Sequence, residues 1–312
     1  MKNYLSVTDI DSLPSWVDEA IELKKHPKAH KGLGENKTIV LLFFNNSLRT
    51  RLSTQKAALN LGMEVIVMNF GSEGWTLEFT DGTVMDQGKS EHVKEAAQVV
   101  SQYCDVIGIR AFANLQDKEA DEAELVINGF KKHATVPILN MESSVGHPLQ
   151  ALADAITLAE NNNKSKPKVV LSWAPHPKAL PHAVANSFVE MMHLQDVDFV
   201  ITHPKGYELN SKITKGATIE HDQNKALENA DFVYVKNWSS YQIYGQILHQ
   251  DKNWTMTLDK LGTAKFMHCL PVRRNVIVAD AVLDSNQSLV IEQANNRTFA
   301  AQIALKKILE NL

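Results

Sequence analysis

Cysteine is scarce in this sequence, since Cys104 and Cys269 are the only two among 312 residues. Two cysteines exclude a disulfide-dense secreted scaffold, and they exclude a zinc or iron–sulfur site built from cysteine. Long hydrophobic runs are also missing, because apolar stretches such as residues 38–44 are too short to span a bilayer. The first sixteen residues lack the apolar core of a signal peptide. We therefore expect a cytoplasmic protein with no membrane partner.

Charge of one sign is not in excess. The 32 Lys and Arg residues nearly balance 36 Asp and Glu residues, which gives a formal net charge of −4. This slight acidity argues against nucleic acid as the main partner. Hydrophobic residues make up 44% of the chain, which is enough to bury a core and excludes disorder for most of it. A chain of this length favours two domains over one.

Short β-branched runs alternate with longer segments of helical spacing, and this alternation predicts parallel sheets. The strands are expected at 38–44, 64–70, 105–112, 136–141, 167–173, 197–202, 231–237, 265–270 and 288–291. Helices are expected at 48–61, 91–103, 119–132, 147–163 and 297–312. The predicted fold class is α/β, with two open parallel-sheet domains joined by helices. The first domain is expected at 1–147, with a C-terminal helix at 295–312 packing back on it, and the second at 148–294.

The segment after the first strand has the composition of an anion site. Ligands of open α/β sheets bind beyond the carboxyl ends of the strands. Here Ser47, Arg49, Thr50 and Arg51 surround the start of a predicted helix, where free N–H groups and the helix dipole favour an anion. A plain helix cap at Ser47 with two solvated arginines is the ordinary alternative. Two arginines and two hydroxyls in one turn favour the anion site.

Other reactive side chains also stand near the ends of predicted strands or at the start of predicted helices. Arg110 and Cys269 stand at the ends of two predicted strands, the His147–Gln150 segment begins a helix, and Arg297 opens the last predicted helix. Each alone is compatible with a surface, turn or core role. An arginine at a helix start fits the dipole poorly, and a bound anion would explain it.

Three motifs in order make the chain resemble a known family. They are residues 47–51 (S-x-R-T-R), 147–150 (H-P-x-Q) and 268–271 (H-C-L-P), and the likeness covers essentially the whole chain. The family that it resembles is that of the aspartate/ornithine carbamoyltransferases. The resemblance implies that an amine attacks the carbonyl carbon of carbamoyl phosphate and that phosphate leaves. It implies no metal and no cofactor, and a homotrimer whose active site lies between two domains and is completed by a neighbour's loop.

The resemblance also implies roles for individual residues. His147, Arg110 and Arg49 are the expected catalytic residues, and His147 would polarise the carbonyl oxygen. Cationic and N–H donors aimed at the developing negative charge are worth about 3–4 kcal/mol each in comparable oxyanion holes. Cys269 is interpreted as a positioning residue, with a nucleophile as the alternative. Carbamoyl phosphate is expected to contact Ser47, Leu48, Arg49, Thr50, Trp75, Arg110, His147, Gln150, Cys269, Leu270 and Arg297.

The amine substrate is indicated by a departure from ordinary ornithine carbamoyltransferases. Those enzymes carry D-x-x-x-S-M-G where residues 236–241 read KNWSSY. Lys236 would repel a free α-ammonium group and attract an acyl or carboxylate oxygen, so we expect an α-amine masked by an acyl group. The pattern resembles the N-acylornithine branch of the family. By that resemblance the acylornithine contacts Glu142, His176, Lys236, Arg273, Phe112 and Ser90.

Ser90 separates two members of this branch. By resemblance, a glutamate just before the Glu-His pair 91–92 goes with acetylornithine, and a small residue goes with succinylornithine. Ser90 leaves room for the second carboxylate of a succinyl group and does not repel it, so we expect N-succinylornithine as the substrate. An N-acetylornithine enzyme is the nearest alternative, ahead of an ordinary ornithine enzyme or a non-catalytic homologue. Ser90 is also a candidate N-cap for the helix predicted at 91–103.

Overall fold

The computed structural model of the protein describes residues 2–312, which form two compact units. Unit 1 contains the described residues up to Ala113, then Glu119–Leu149 and Arg297–Leu312. Unit 2 contains Asn114–Lys118 and Gln150–Asn296. The main division therefore follows Leu149, two residues after the boundary expected from the sequence, and the return to unit 1 begins at Arg297.

Unit 1 is built on a four-stranded parallel sheet whose strand order is β2-β1-β5-β6. Apolar side chains of the central strands, among them Val40, Leu42, Ile107 and Ile109, form a buried core. Strands buried on both faces appear as nearly continuous hydrophobic runs, which is why the sequence indicated them. The four strands are β1 (Thr38–Phe43), β2 (Glu64–Asn69), β5 (Val106–Arg110) and β6 (Ile138–Glu142).

Helices and one further pair of strands complete this part of the chain. The two-residue strands β3 (Leu77–Glu78) and β4 (Glu91–His92) pair in parallel, which the sequence did not indicate. The helices are α1 (Leu13–Lys25), α2 (Arg49–Leu61), α3 (Phe70–Glu73), α4 (Val93–Val100), α5 (Lys118–Glu122) and α6 (Leu125–His133). The next helix, α7 (Pro148–Asn161), belongs to unit 2 from Gln150 onward. Gly62 ends α2 with a φ of 90°, and a Cβ there would collide with the carbonyl oxygen of Lys31.

Unit 2 has a five-stranded parallel sheet of order β11-β10-β7-β8-β9. Its core packs around Val170, Val233, Val235 and Phe266. The strands are β7 (Lys168–Trp173), β8 (Asp198–Thr202), β9 (Thr218–Glu220), β10 (Phe232–Lys236) and β11 (Lys265–Met267). The helices are α8 (Ala183–Met192), α9 (Gln223–Leu227), α10 (Leu258–Leu261) and α11 (Asp280–Leu283). The last helix, α12 (Val290–Leu309), begins in unit 2 and belongs to unit 1 from Arg297 onward.

The two parallel sheets confirm the predicted α/β class, and three local predictions were wrong. Residues 288–291 form no strand, because the apolar residues there lead into α12. That helix begins at Val290, so Arg297 lies two turns inside it and the dipole argument for Arg297 fails. Ser90 does not cap the following helix, because α4 begins at Val93 and the side chain of His92 accepts a hydrogen bond from Lys94 N.

Candidate active site

The turn from β1 into α2 presents the start of a helix at the carboxyl edge of the unit 1 sheet. Thr50 N donates to Ser47 Oγ at 3.2 Å, which closes the first turn of α2. Leu48 is 68% exposed, whereas Thr50 is buried. The helix dipole and the N–H groups of this first turn favour an anion at this position.

Arg110 holds the turn between β1 and α2 in place through hydrogen bonds to its backbone. It ends β5 and is paired in register with Phe43 of β1. Its Nη1 donates to the carbonyl oxygens of Asn45 and Asn46, each at 2.8 Å. Its Nε and Nη2 lie 3.0 and 2.9 Å from Glu142 Oε2. A guanidinium with this many fixed partners holds the loop after β1 in one conformation.

His147 and Arg297 form a chain of contacts that links the Arg110–Glu142 pair to the start of α2. Glu142 Oε2 lies 3.7 Å from His147 Nε2, and that nitrogen lies 3.4 Å from Arg297 Nη2. Arg297 Nη2 donates to Thr50 Oγ1 at 2.6 Å. These five buried residues are hereafter the arginine cluster: Thr50, Arg110, Glu142, His147 and Arg297. Two guanidinium groups against one carboxylate leave the cluster with an excess of positive charge, which favours a bound anion.

Three more predicted residues lie in unit 1. The Phe112 ring lies under the Arg110 guanidinium, at 4.8 Å from its Cζ, and Phe112 N donates to Asn45 Oδ1. Trp75 is 56% exposed, and its Nε1 donates to Glu91 Oε2 at 2.7 Å. Ser90 is exposed as well, and its N–H donates to Thr76 O. Trp75 thus lies just before β3, and Ser90 lies directly before β4.

In unit 2 a chain of hydrogen bonds positions the turn after β11. Gln150 Nε2 and Gln293 Nε2 each donate to Asp154 Oδ1 at 2.7 Å. Gln293 Oε1 accepts from His268 N, and His268 Nδ1 accepts from Leu270 N, both at 2.9 Å. Leu270 has a φ of 54° and precedes a cis proline. Cys269 is buried in this turn and forms no disulfide within residues 2–312.

His176 and Arg273 form a second basic group in unit 2, which includes Lys236. Arg273 Nε donates to His176 Nε2 at 3.2 Å, and His176 Nδ1 lies 2.8 Å from Lys178 O. His176 Nε2 therefore accepts from Arg273, and Lys178 N donates to His176 Nδ1 at 3.0 Å. Burial lowers the pKa of His176, and the charges of Lys236 and Arg273 lower it further. The two cations suit a carboxylate.

The structure thus brings together several residues that the sequence had selected separately. The arginine cluster joins residues that had been divided between the two substrates, since Glu142 contacts Arg110 and His147. Sequence reasoning did not select Asn45, Asp154 or Gln293. Asn45 directly precedes the anion motif, and Asp154 lies one helical turn after Gln150, so both had a local signal. Gln293 had none, because its contact with Asp154 spans 139 positions.

Within residues 2–312, no helix combines the length and the apolar composition that a bilayer crossing requires. Residues 2–160 match the model of the carbamoyl-phosphate binding domain of the aspartate/ornithine carbamoyltransferases, and residues 181–307 match that of their Asp/Orn binding domain. The chain belongs to the aspartate/ornithine carbamoyltransferase family.

Individual relatives place it further within the family. It is 51% identical to the N-succinylornithine carbamoyltransferase of Bacteroides fragilis (strain 638R), over 100% of both chains. It is 37% identical to the N-acetylornithine carbamoyltransferase of Xylella fastidiosa (strain 9a5c), over 88% of each. A crystal structure of acetylornithine transcarbamylase complexed with acetylcitrulline superposes with a TM-score of 0.92, at 33% identity over 99% of both chains. The predicted resemblance to the N-acylornithine branch is confirmed.

Proposed function

We propose that this protein transfers the carbamoyl group of carbamoyl phosphate to the side-chain amine of N2-succinyl-L-ornithine. The products are N2-succinyl-L-citrulline and phosphate. The observation that carries this proposal is the arginine cluster next to the start of α2, because a buried group with excess positive charge at a helix start suits a phosphate and a developing oxyanion. The identity of 51% to an N-succinylornithine carbamoyltransferase supports the same substrate pair.

In the proposed mechanism, carbamoyl phosphate binds at the first turn of α2. The phosphate is held by Ser47, Leu48, Arg49 and Thr50, helped by Arg110. His147 polarises the carbonyl oxygen, and Arg297 also contacts carbamoyl phosphate. The amine nitrogen attacks the carbonyl carbon, the bond from that carbon to the phosphate oxygen breaks, and the amine proton leaves to phosphate or water. Donors already fixed by neighbours, as Arg110 is by Glu142, need no rearrangement when charge develops.

Several further contacts to carbamoyl phosphate complete the proposal. Gln150 and the backbone at Cys269 and Leu270 hold the carbamoyl amide, for which the hydrogen-bond chain through Asp154 provides fixed geometry. Trp75 reaches carbamoyl phosphate from a neighbouring subunit. Its 56% exposure in one chain is compatible with that role.

The charges of the acylornithine decide which residues bind it. Masking the α-amine with a succinyl group leaves the α-carboxylate and the succinyl carboxylate at that end and one amine at the other. The proposed partners of the carboxylate end are Lys236 and Arg273, with His176 held against Arg273. Glu142 suits the side-chain amine, and Phe112 packs beside it.

In this proposal Ser90 determines which acyl group the enzyme prefers. The test is an assay that measures formation of the ureido product. The protein is given carbamoyl phosphate with N-succinylornithine, N-acetylornithine or free ornithine in parallel. We expect turnover of succinylornithine. Ser90→Glu should shift preference toward acetylornithine by 10-fold or more, on the order of 1.4 kcal/mol, because the added carboxylate repels the succinyl group. Ser90→Ala is the control and should keep the succinyl preference.

Each other outcome corrects a separate part of the proposal. Acetylornithine as best substrate would contradict the role of Ser90, and free ornithine as best substrate would contradict the role of Lys236. Binding of carbamoyl phosphate without turnover of any amine would indicate a non-catalytic homologue.

We propose three further properties on the same basis. The reaction belongs to arginine biosynthesis, because citrulline derivatives are its products. The protein acts in the cytoplasm, the compartment that the two sparse cysteines favour. It is a homotrimer whose segment around Trp75 and Ser90 completes the site of the next subunit.

A further inference from the structure

Two histidines and one glutamate of unit 2 lie close together outside the residues assigned to either substrate. His203 directly follows β8, and His221 directly follows β9. The register of these parallel strands pairs Thr202 with Glu220, so the two histidines occupy the next matching position at the carboxyl edge of the sheet. Neighbouring strands lie about 4.8 Å apart, which brings the two rings together. Glu208 belongs to the turn that follows His203.

The hydrogen bonds of the two rings fix their tautomers. His203 Nδ1 lies 2.9 Å from Pro204 O, and His221 Nδ1 lies 2.9 Å from His203 O. A carbonyl oxygen only accepts, so each ring carries its proton on Nδ1 and keeps the lone pair of Nε2 for a ligand. Metal-binding histidines show this arrangement, in which the other ring nitrogen donates to a carbonyl or a carboxylate. The ring centroids are 5.0 Å apart at an interplanar angle of 81°.

Glu208 supplies an anionic group to the same place. Its carboxylate accepts from Gly206 N, at 3.0 and 3.2 Å for the two oxygens, in a turn that Gly206 makes with a φ of 89°. One ligand atom from each of the three side chains lies within 4.8 Å of the others. Across residues 2–312, no other trio of His, Cys, Asp and Glu side chains meets that closeness.

We propose that His203, Glu208 and His221 form a Zn²⁺ site with water as the fourth ligand. Two imidazoles and one carboxylate suit Zn²⁺, whereas Mg²⁺ and Ca²⁺ prefer oxygen ligands alone. Ligand atoms of a tetrahedral zinc site lie about 3.3 Å apart, so the trio closes by at most about 1.5 Å. Side-chain rotations of the partly buried Glu208 and the exposed His221 supply that movement.

The bound ion would stabilise the pairing of β8 and β9 at the edge of the unit 2 sheet. β9 has three residues and is an edge strand that pairs with β8. A ligand from the end of each strand holds the two together. The site is independent of the proposed carbamoyl transfer, because none of its three residues is assigned to carbamoyl phosphate or acylornithine.

The test is zinc binding by the full-length protein after removal of metal with a chelator. Calorimetric titration with ZnCl₂ should show one ion per chain, and zinc at 100 times its Kd should raise the midpoint of thermal unfolding by about 5 °C. MgCl₂ at the same concentration should produce neither effect. His221→Gln and Glu208→Gln should each weaken zinc binding by about 100-fold. His30→Gln removes an exposed histidine elsewhere in the chain and should bind zinc as the parent does.

Two variants keep the result interpretable if one of them folds poorly. Metal-free His221→Gln and Glu208→Gln should match the parent in far-ultraviolet circular dichroism. Equal zinc affinity in the parent and both variants would overturn the site and indicate adventitious binding elsewhere. Absence of a calorimetric signal and of a thermal shift in the parent would overturn it as well.

Discussion

Arg297 connects the last helix of the chain to the first turn of α2. It is 6% exposed and donates to Thr50 Oγ1 at 2.6 Å. Arg297→Lys keeps the charge and loses the planar fork that bonds two groups at once. We expect kcat/KM for carbamoyl phosphate to fall by about 100-fold or more, the loss seen when one oxyanion donor is removed. Steady-state kinetics with the acylornithine held at saturation measures it.

Arg274 provides the matched control for that substitution. Its guanidinium is half-exposed and bonds Asp280 and Asp284. Exposed ion pairs contribute little, so Arg274→Lys should change kcat/KM by less than about twofold. A similar loss in both variants would mean that Arg297 has no special role at the phosphate.

The lowered pKa of His176 makes the stability of the folded protein depend on pH, and the direction of that dependence follows from the shift. This pKa is lowered in the folded protein, first by burial and then by Lys236 and Arg273. As pH falls below the ordinary value of 6.5, the unfolded chain therefore takes up a proton that the folded chain resists. The free energy of unfolding decreases in that range.

His176→Gln should make this acid-side decrease smaller, because glutamine does not titrate. Urea unfolding at pH 7.5, 6.5 and 5.5 measures the difference between parent and variant. The pKa values of His133 and His203 are lowered too, but they titrate in both proteins and cancel in that difference. A parent and a variant with the same pH profile would contradict the lowered pKa of His176.

At the scale of elements, α4 begins with an unusual cap. His92 Nδ1 accepts from Lys94 N at 3.2 Å, and His92 Nε2 lies 3.3 Å from Thr80 O. His92→Ala removes both contacts and should cost about 1 kcal/mol of helix stability. We expect about fivefold faster amide hydrogen exchange at residues 94–97. His92→Ser restores a side-chain cap and should restore most of the protection, and unchanged exchange in His92→Ala would exclude the cap.

Element boundaries show which signals the sequence carries. The core strands β1, β5, β7 and β10 were predicted within two residues at each end, because strands buried on both faces are apolar throughout. β9 was missed, since its three residues Thr218–Glu220 are largely exposed and carry no apolar run. The apolar residues at 288–291 were assigned to a strand, because a short apolar run fits a strand and a buried helix equally.

For the whole molecule, the sequence identified the members of the arginine cluster but not their contacts. Arg110 was selected because it ends a predicted strand, His147 because it belongs to a family motif, and Arg297 because it opens the last predicted helix. The contact of Arg297 with Thr50 joins residues 247 positions apart, and that of Arg110 with Glu142 joins residues 32 apart. Such pairings depend on how the chain folds back. Their roles toward the substrates stay predictions.

Subunit sharing is the remaining property of the whole molecule that kinetics can test. A trimer of this chain has a mass of 3 × 34.8 kDa, about 104 kDa. If Trp75 serves the neighbour's site, Trp75→Ala and Arg297→Lys damage different partners of one site. Equal mixing of the two inactive variants, with reassembly from dissociated chains, then restores about a quarter of all sites, because each site pairs one chain with one neighbour. Recovered activity near 25% of the parent indicates shared sites. A mixture no more active than the two variants apart would place Trp75 in the site of its own chain.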